Sequence, residues 1–405
     1  MSDIPKQQVY DPTESAYRWL ILGMAVLTYV MCIIPRFAWP PLIPVVAPIL
    51  NIQMTQAGAY MTAFYIGYVI TQVPAGLLAD RFGVRGLLAL TLVVQGLANI
   101  GLGIIDSYGP GFALRMISGL AGGCVYAACF RALVQWFRPE HRGLAFGIFM
   151  ATPSLGVALT NALVPSLEGF WGWRGVFLAI GVFALACSVA VFTLVREVKS
   201  DGPANTGPRP SFFTGLKTVL QDRNIRTLCL CGLTYIWCYV GFMSWGNTYL
   251  KQVIGLSNVE AGAVITVLSM IGIPLSPLAG FVAGKSGKGL QVLIMGIVLV
   301  GLGVILFGQT SSVTMIWTLT VVTGVGFAIC TPLYSFVVST YSPPQWAATT
   351  GGVTSFCWQF GGMLVPVISG LAIDLSGFSV VWWILGVVPL LAVLLLLTLK
   401  KPQAA

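Results

Sequence analysis

Ala75-Gly76-Leu77-Leu78-Ala79-Asp80-Arg81-Phe82-Gly83-Val84-Arg85 is a charged corner set between two apolar runs. One acid and two bases fall within six residues, and a glycine lies on either side of Asp80. The run before it covers 57–79 and the run after it 86–105. Each has about the 20 apolar residues that a helix needs to cross the hydrocarbon core of a bilayer. The corner itself is too polar to lie in lipid. The stretch therefore reads as the turn of a transmembrane helical hairpin.

A degenerate copy of this corner lies 204 residues further on. Ala75-Gly76-Leu77-Leu78-Ala79 matches Ala279-Gly280-Phe281-Val282-Ala283, and Gly83 falls on Gly287. At the same offset Gly122 falls on Gly326, Pro139 on Pro343 and Gly147 on Gly351. One spacing that holds through two loops implies two duplicated halves. Such a repeat suits a central cavity that opens alternately to the two sides of a membrane.

Outward from the two corners, Gly, Pro and charge punctuate twelve apolar segments at about 19–50, 57–79, 86–105, 110–136, 143–165, 173–195, 226–250, 260–283, 290–309, 313–340, 349–373 and 378–399. The first is long and carries Pro35, Pro40, Pro41, Pro44 and Pro48, which predicts a kink or unwinding at its far end. Charged residues make up only 8% of the 405, too few to cover a water-facing surface, for which about 25% is usual. The reading is an all-α integral membrane protein with twelve transmembrane helices in two pseudo-symmetric six-helix halves. The tail is 1–18, the halves 19–195 and 226–399, the linker 196–225 with an amphipathic piece at 212–220, and the last tail 400–405.

Twelve spans put both termini on one side. That side collects 16 of the 21 Lys and Arg, whereas the opposite loops hold only Arg174 and Lys251. Positive charge marks the cytoplasmic face, so both termini are expected in the cytoplasm of a multi-pass protein of the cell (inner) membrane. The nine Cys all sit in apolar runs without metal-ligand spacing. No catalytic dyad, phosphate loop or metal motif is present. An enzyme, a cofactor, a metal and a nucleic-acid partner are therefore not expected.

Gly76 to Arg85 resembles the signature loop of the major facilitator superfamily, and Gly280 to Lys288 stands where that family has its second copy. Arg115-Met116-Ile117-Ser118-Gly119 resembles its fourth-helix motif, and Trp173-Arg174-Gly175-Val176-Phe177 the start of its sixth helix. Tyr68 to Gly76, Arg36 followed by Pro48, and Arg131 with Trp136-Phe137 and Arg142-Gly143 are similar to the anion:cation symporter and organophosphate branches. That resemblance implies alternating-access transport of organic acids, sugar acids or phosphate esters. It also implies a latch at the loop that carries Gly76, Asp80, Arg81, Gly83 and Arg85, closing the cytoplasmic side. Two departures stand out. Gly284 replaces the acid of the second loop, and Gly122 stands where the symporter branch has a carboxylate on its fourth helix.

Arg36 and Arg115 lie inside apolar spans, where a charge is expensive and usually faces a cavity. With no Asp or Glu in a span interior to neutralise them, they favour an anion, and Arg presents a fork to a carboxylate or phosphate. Both are candidate substrate ligands. The alternative for Arg36 is a place beyond the membrane if the first helix ends at Pro35; for Arg115 it is bonding to backbone carbonyls. Tyr126 shares a helix face with Arg115, Gly119 and Gly122 by the i, i+4, i+7 rule. Tyr126, Tyr68, Gln72, Tyr239 and Gln359 are candidate cavity residues; the competing reading is packing or lipid contact.

The expected function is secondary transport of a small organic anion, a mono- or dicarboxylate or a sugar acid, by a monomer. Protons are a candidate partner through the resemblance to symporters, although no span interior carries an Asp, Glu or His. Efflux of a neutral or amphipathic compound is one alternative. A non-transporting membrane sensor is another, disfavoured by the short linker and tails.

Overall fold

The computed structural model describes residues 15–72, 74–197, 212–343 and 346–399. The tail before residue 15, the linker over 198–211 and the tail 400–405 lie outside the described residues, as do the side chains of Gly76 and Asp80. Among the described residues the secondary structure is helical throughout. In lipid no water is available for peptide groups, and a helix satisfies them within one segment.

The first span is α1 (Tyr17–Phe37) followed by α2 (Trp39–Ile49). The bend between them at Ala38 has a backbone cause. Pro40 and Pro41 lack the N–H groups that would bond the carbonyls of Arg36 and Phe37. The second span is α3 (Met54–Gln72), running on into α4 (Ala75–Ile104), which holds the third span beyond a corner at Gly83. The fourth is α5 (Tyr108–Gly122) with α6 (Val125–Trp136). α7 (Pro139–Met150) and α8 (Thr152–Leu194) form the fifth and sixth, with a corner at Gly172. The short α9 (Phe212–Gln221) covers the amphipathic piece. Six single-helix spans complete the chain: α10 (Arg223–Gln252), α11 (Asn258–Ser286), α12 (Gly289–Phe307), α13 (Val313–Tyr341), α14 (Ala347–Ser376) and α15 (Phe378–Leu396).

Ten of these stretches are by themselves long and apolar enough to cross a membrane. One of the ten, Glu140–Leu194, contains two spans joined at Gly172. The second span falls outside the ten because Thr55, Gln56, Thr62, Thr71 and Gln72 dilute its apolar character. Together these make twelve. Large apolar side chains such as Val182, Phe183, Leu371 and Leu394 stand exposed along the spans, a surface suited to lipid.

Backbone geometry records the duplication. Six described residues have positive φ, and they fall into three pairs across the halves: Asn51 with Gly255, Gly83 with Gly287, and Gly172 with Gly377. The first two pairs are 204 residues apart and the third 205. At Gly83 (φ 70°, ψ 165°) and Gly172 (φ 67°, ψ 171°) the conformation is one that only glycine adopts without strain.

Within the halves α4 packs on α8, and α13 on α11 and α12. Between the halves α3 lies along α14, α8 along α11, and α2 against α10. These crossings position the site described next.

Candidate functional site: a cavity sealed at one end

Call the end of the bundle near the chain termini proximal and the opposite end distal. At the distal end the halves touch backbone to backbone. A Cβ on Gly58 of α3 would strike the Pro366 carbonyl of α14, and one on Gly262 of α11 would strike the Asn161 carbonyl of α8. Gly58 and Gly262 are again 204 residues apart. Polar bonds reinforce the seal. Asn247 Nδ2 donates to Asn161 Oδ1 at 2.9 Å, and Asn258 Nδ2 to Glu168 Oε2 at 3.3 Å. Asp374 accepts from the first turn of α3.

Between the halves, towards the proximal end, lies a central cavity of about 530 Å³. It is continuous through Tyr29, Tyr68, Thr331, Ser335, Trp358 and Gln359 with a vestibule of about 450 Å³. The vestibule reaches Gln72, Ser342 and Gly351, at the proximal ends of α3, α13 and α14. A volume of this order suits a small ligand.

Arg36 lines the central cavity. It occupies the last turn of α1, where the exposed carbonyl ends of a helix favour a cation. The side chain is 8% exposed, and its Nε is buried without a hydrogen-bond partner. The guanidinium stands 4.2 Å from the centre of the Tyr65 ring and 5.3 Å from that of Tyr68, a cation–π arrangement. Among the described residues no other one lining the cavity or the vestibule carries a formal charge.

The structure brings Arg36, Tyr68, Tyr239 and Gln359 together around the central cavity, and Gln72 and Tyr126 around the vestibule. Arg115 is not brought there. It is fully buried and spends its donors on backbone: Nε to Tyr60 O at 3.2 Å, Nη1 to Pro35 O at 2.6 Å, and Nη2 to Arg36 O at 3.3 Å. The Arg36 carbonyl is the one deprived of its helical partner by Pro40, so Arg115 replaces a missing N–H. Sequence reasoning could not separate this from substrate contact, because both need a cation at membrane depth. Gly119, on the same helix face, is used for close packing, since a Cβ there would meet the Phe64 carbonyl.

Tyr29, Tyr65 and Trp358 join the site beyond the residues expected as ligands. Tyr29 had a legible signal, seven residues before Arg36 on the same helix face. Tyr65 had none, because its ring meets Arg36 only through the reach of that side chain from α1 to α3 in the folded bundle.

At the proximal corner the Arg81 guanidinium lies 5.7 Å from the Phe82 ring, and that of Arg85 5.0 Å from Phe192. The Arg85 N–H donates to Glu197 Oε1 at 2.9 Å, tying the corner to the end of the sixth span. Gly83 makes the turn. Gly76 and Asp80 belong to the same corner by sequence, and their side chains lie outside the described residues.

Comparison with known proteins agrees with this architecture. At 26% identity over 372 residues the chain is similar to the probable galactarate/D-glucarate transporter GudP of Bacillus subtilis, covering 81% of this chain and 79% of that one. The probable sulfoacetate transporter SauU of Cupriavidus necator is 24% identical over 417 residues, with 95% and 96% covered. Among solved structures, a bacterial homologue of the human lysosomal transporter Spinster, inward-facing and unoccupied, superposes with a TM-score of 0.77 at 17% identity, over 95% of each chain. The sequence model of the Major Facilitator Superfamily matches residues 24–366. With that match over most of its length, twelve spans in two related halves and a cavity between them, this multi-pass membrane chain belongs to the major facilitator superfamily.

Proposed function

We propose that the chain is a secondary transporter that carries a small organic anion of the sugar-acid class by alternating access. The observation that carries this reading is Arg36: the cavity between the halves presents one buried cation, and its Nε is unpaired. An isolated buried charge costs several kcal/mol unless a counter-charge joins it, and an anionic ligand supplies one. The names of similar proteins point the same way, since galactarate, D-glucarate and sulfoacetate are all small organic anions.

In this reading Arg36 binds the acid group, Tyr68, Tyr239 and Gln359 contact the rest of the ligand, and Gln72 and Tyr126 line the way in. Arg115 is a positioning residue that holds the α1–α2 bend and through it Arg36. The loop of Gly76, Asp80, Arg81, Gly83 and Arg85 latches the proximal end when the carrier turns over. The excess of basic residues at the proximal end supports a cytoplasmic location for both termini in the cell membrane. The protein works as a monomer, and any proton it moves travels with the substrate rather than on a buried carboxylate.

Counterflow of radiolabelled sugar acids in proteoliposomes tests the function. Wild-type protein should exchange the label. Arg36→Ala should lose saturable binding and exchange, and Arg36→Lys, which keeps charge but loses the planar fork, should bind at least roughly tenfold more weakly. Unchanged exchange in Arg36→Ala removes the proposed contact.

A further inference from the structure

We infer that the cavity selects a single negative charge on a hydroxylated ligand, so that a monocarboxylic sugar acid is preferred over the dicarboxylate of the same skeleton. This rests on the sugar-acid reading above, narrows it, and sets this chain apart from GudP and SauU, whose names give doubly charged anions. Two independent features of the cavity wall carry it.

The first is charge. Among the described residues Arg36 is the only formally charged one lining either the cavity or the vestibule. Its one guanidinium can pair with one carboxylate, bidentately and edge-on, because the Tyr65 ring covers a face. A second carboxylate on the same ligand would have no cation within the lining. A charge taken from water without a partner is strongly disfavoured, far more than an unpaired hydroxyl.

The second is the direction of the hydrogen bonds on the opposite wall, which belongs to the C-terminal half. Ser269 Oγ donates to Ile265 O at 2.8 Å, and Ser276 Oγ to Ala328 O at 3.0 Å. Thr331 Oγ1 donates to Phe327 O at 3.3 Å, and Ser335 Oγ to Thr331 O at 3.4 Å. All four residues line the cavity. A hydroxyl has one proton and two lone pairs. With the proton committed to a helix carbonyl, the three serines present only acceptor lone pairs to the ligand, and the Thr331 hydroxyl is further engaged with Tyr235 Oη at 2.9 Å. Such a wall complements the O–H donors of a polyol. A carboxylate, itself only an acceptor, gains nothing from these four hydroxyls. The cavity thus has one cation for one acid group, and for a hydroxylated chain these acceptor hydroxyls together with the neutral polar groups of Tyr239 and Gln359.

Galactonate and galactarate form a matched pair of probes that differ at one end of the chain, CH₂OH against COO⁻. Binding of each to the purified full-length protein is measured by calorimetry at neutral pH, with Gln359→Lys as a second arm that adds a cation to the cavity. The expected result is galactonate binding at least roughly tenfold tighter than galactarate to wild type, with the ratio falling or inverting in Gln359→Lys. Galactarate binding as tightly as galactonate to wild type overturns the charge selection while leaving the transporter reading intact. Failure of both acids to bind overturns the sugar-acid reading and this inference with it.

Discussion

Asp374 of α14 caps the first turn of α3 at Thr55: its Oδ2 accepts from the Thr55 backbone N–H at 2.8 Å and from the Thr55 hydroxyl at 2.6 Å, while its Oδ1 accepts from the Met54 N–H at 3.0 Å. The two residues belong to opposite halves, 319 positions apart. A carboxylate at a helix N-terminus meets unsatisfied N–H groups and the positive end of the helix dipole. The bond joins the two halves across the closed distal end, so separating them there requires breaking it. Glu168 and Asn258 make the corresponding but weaker contact between the other pair of helices.

Neutralising the stronger contact should loosen the seal. Asp374→Asn is expected to shift the equilibrium towards distal opening by about 1 kcal/mol, a several-fold change in ratio, because the site is solvent-exposed. Spin labels at Gln53 and Ser376 report the distance across this seam. An unchanged distance distribution in Asp374→Asn would show that the glycine contacts alone hold it.

Those contacts should be harder to replace. A methyl group on Gly262 would collide with the Asn161 carbonyl and come within 2.8 Å of Pro165 Cγ. Backbone cannot move aside without separating α8 from α11. Gly262→Ala, and equally Gly58→Ala, should therefore trap the carrier away from the distal-closed state and slow transport at least roughly tenfold, with protein still inserted in the membrane. The readout is increased modification, by an impermeant thiol reagent, of a cysteine placed at Ser276 in the cavity. Wild-type accessibility and rate in both variants would rule out the closing role.

Arg115 offers a different signature from Arg36. Removing it leaves three backbone carbonyls without their donor, at Tyr60, Pro35 and Arg36. Arg115→Met should lower stability by about 2–4 kcal/mol. Arg36→Ala should cost little stability and abolish the thermal stabilisation given by ligand. Thermal unfolding with and without a sugar acid separates the two. A fully stable Arg115→Met that fails only in ligand binding would return Arg115 to the ligand set.

The acid of the proximal corner is expected to act on turnover and not on binding. Asp80→Asn should impair exchange while leaving the amount of protein in the membrane and the affinity for ligand near wild type, through a coupling of about 1–3 kcal/mol between the two open states. Exchange at the wild-type rate in proteoliposomes would dismiss the latch.

Much of this was legible in the chain itself. The charged corner from Gly76 to Arg85, its copy 204 residues on and the scarcity of charge determined a duplicated twelve-span membrane protein, because burial in lipid imposes length and helical backbone on any crossing segment. Arg36 was readable as a ligand candidate because a charge at membrane depth is too expensive to be idle. The roles of Arg36 and Arg115 were not separable, since cost depends on depth while role depends on neighbours. Only the tertiary structure placed Tyr65 beneath one guanidinium and the Pro35 and Arg36 carbonyls against the other. It also decided which end is sealed: the Asp374–Thr55 and Gly262–Asn161 contacts join residues from opposite halves, and such pairings follow from how the halves pack and leave no local trace in the order of residues.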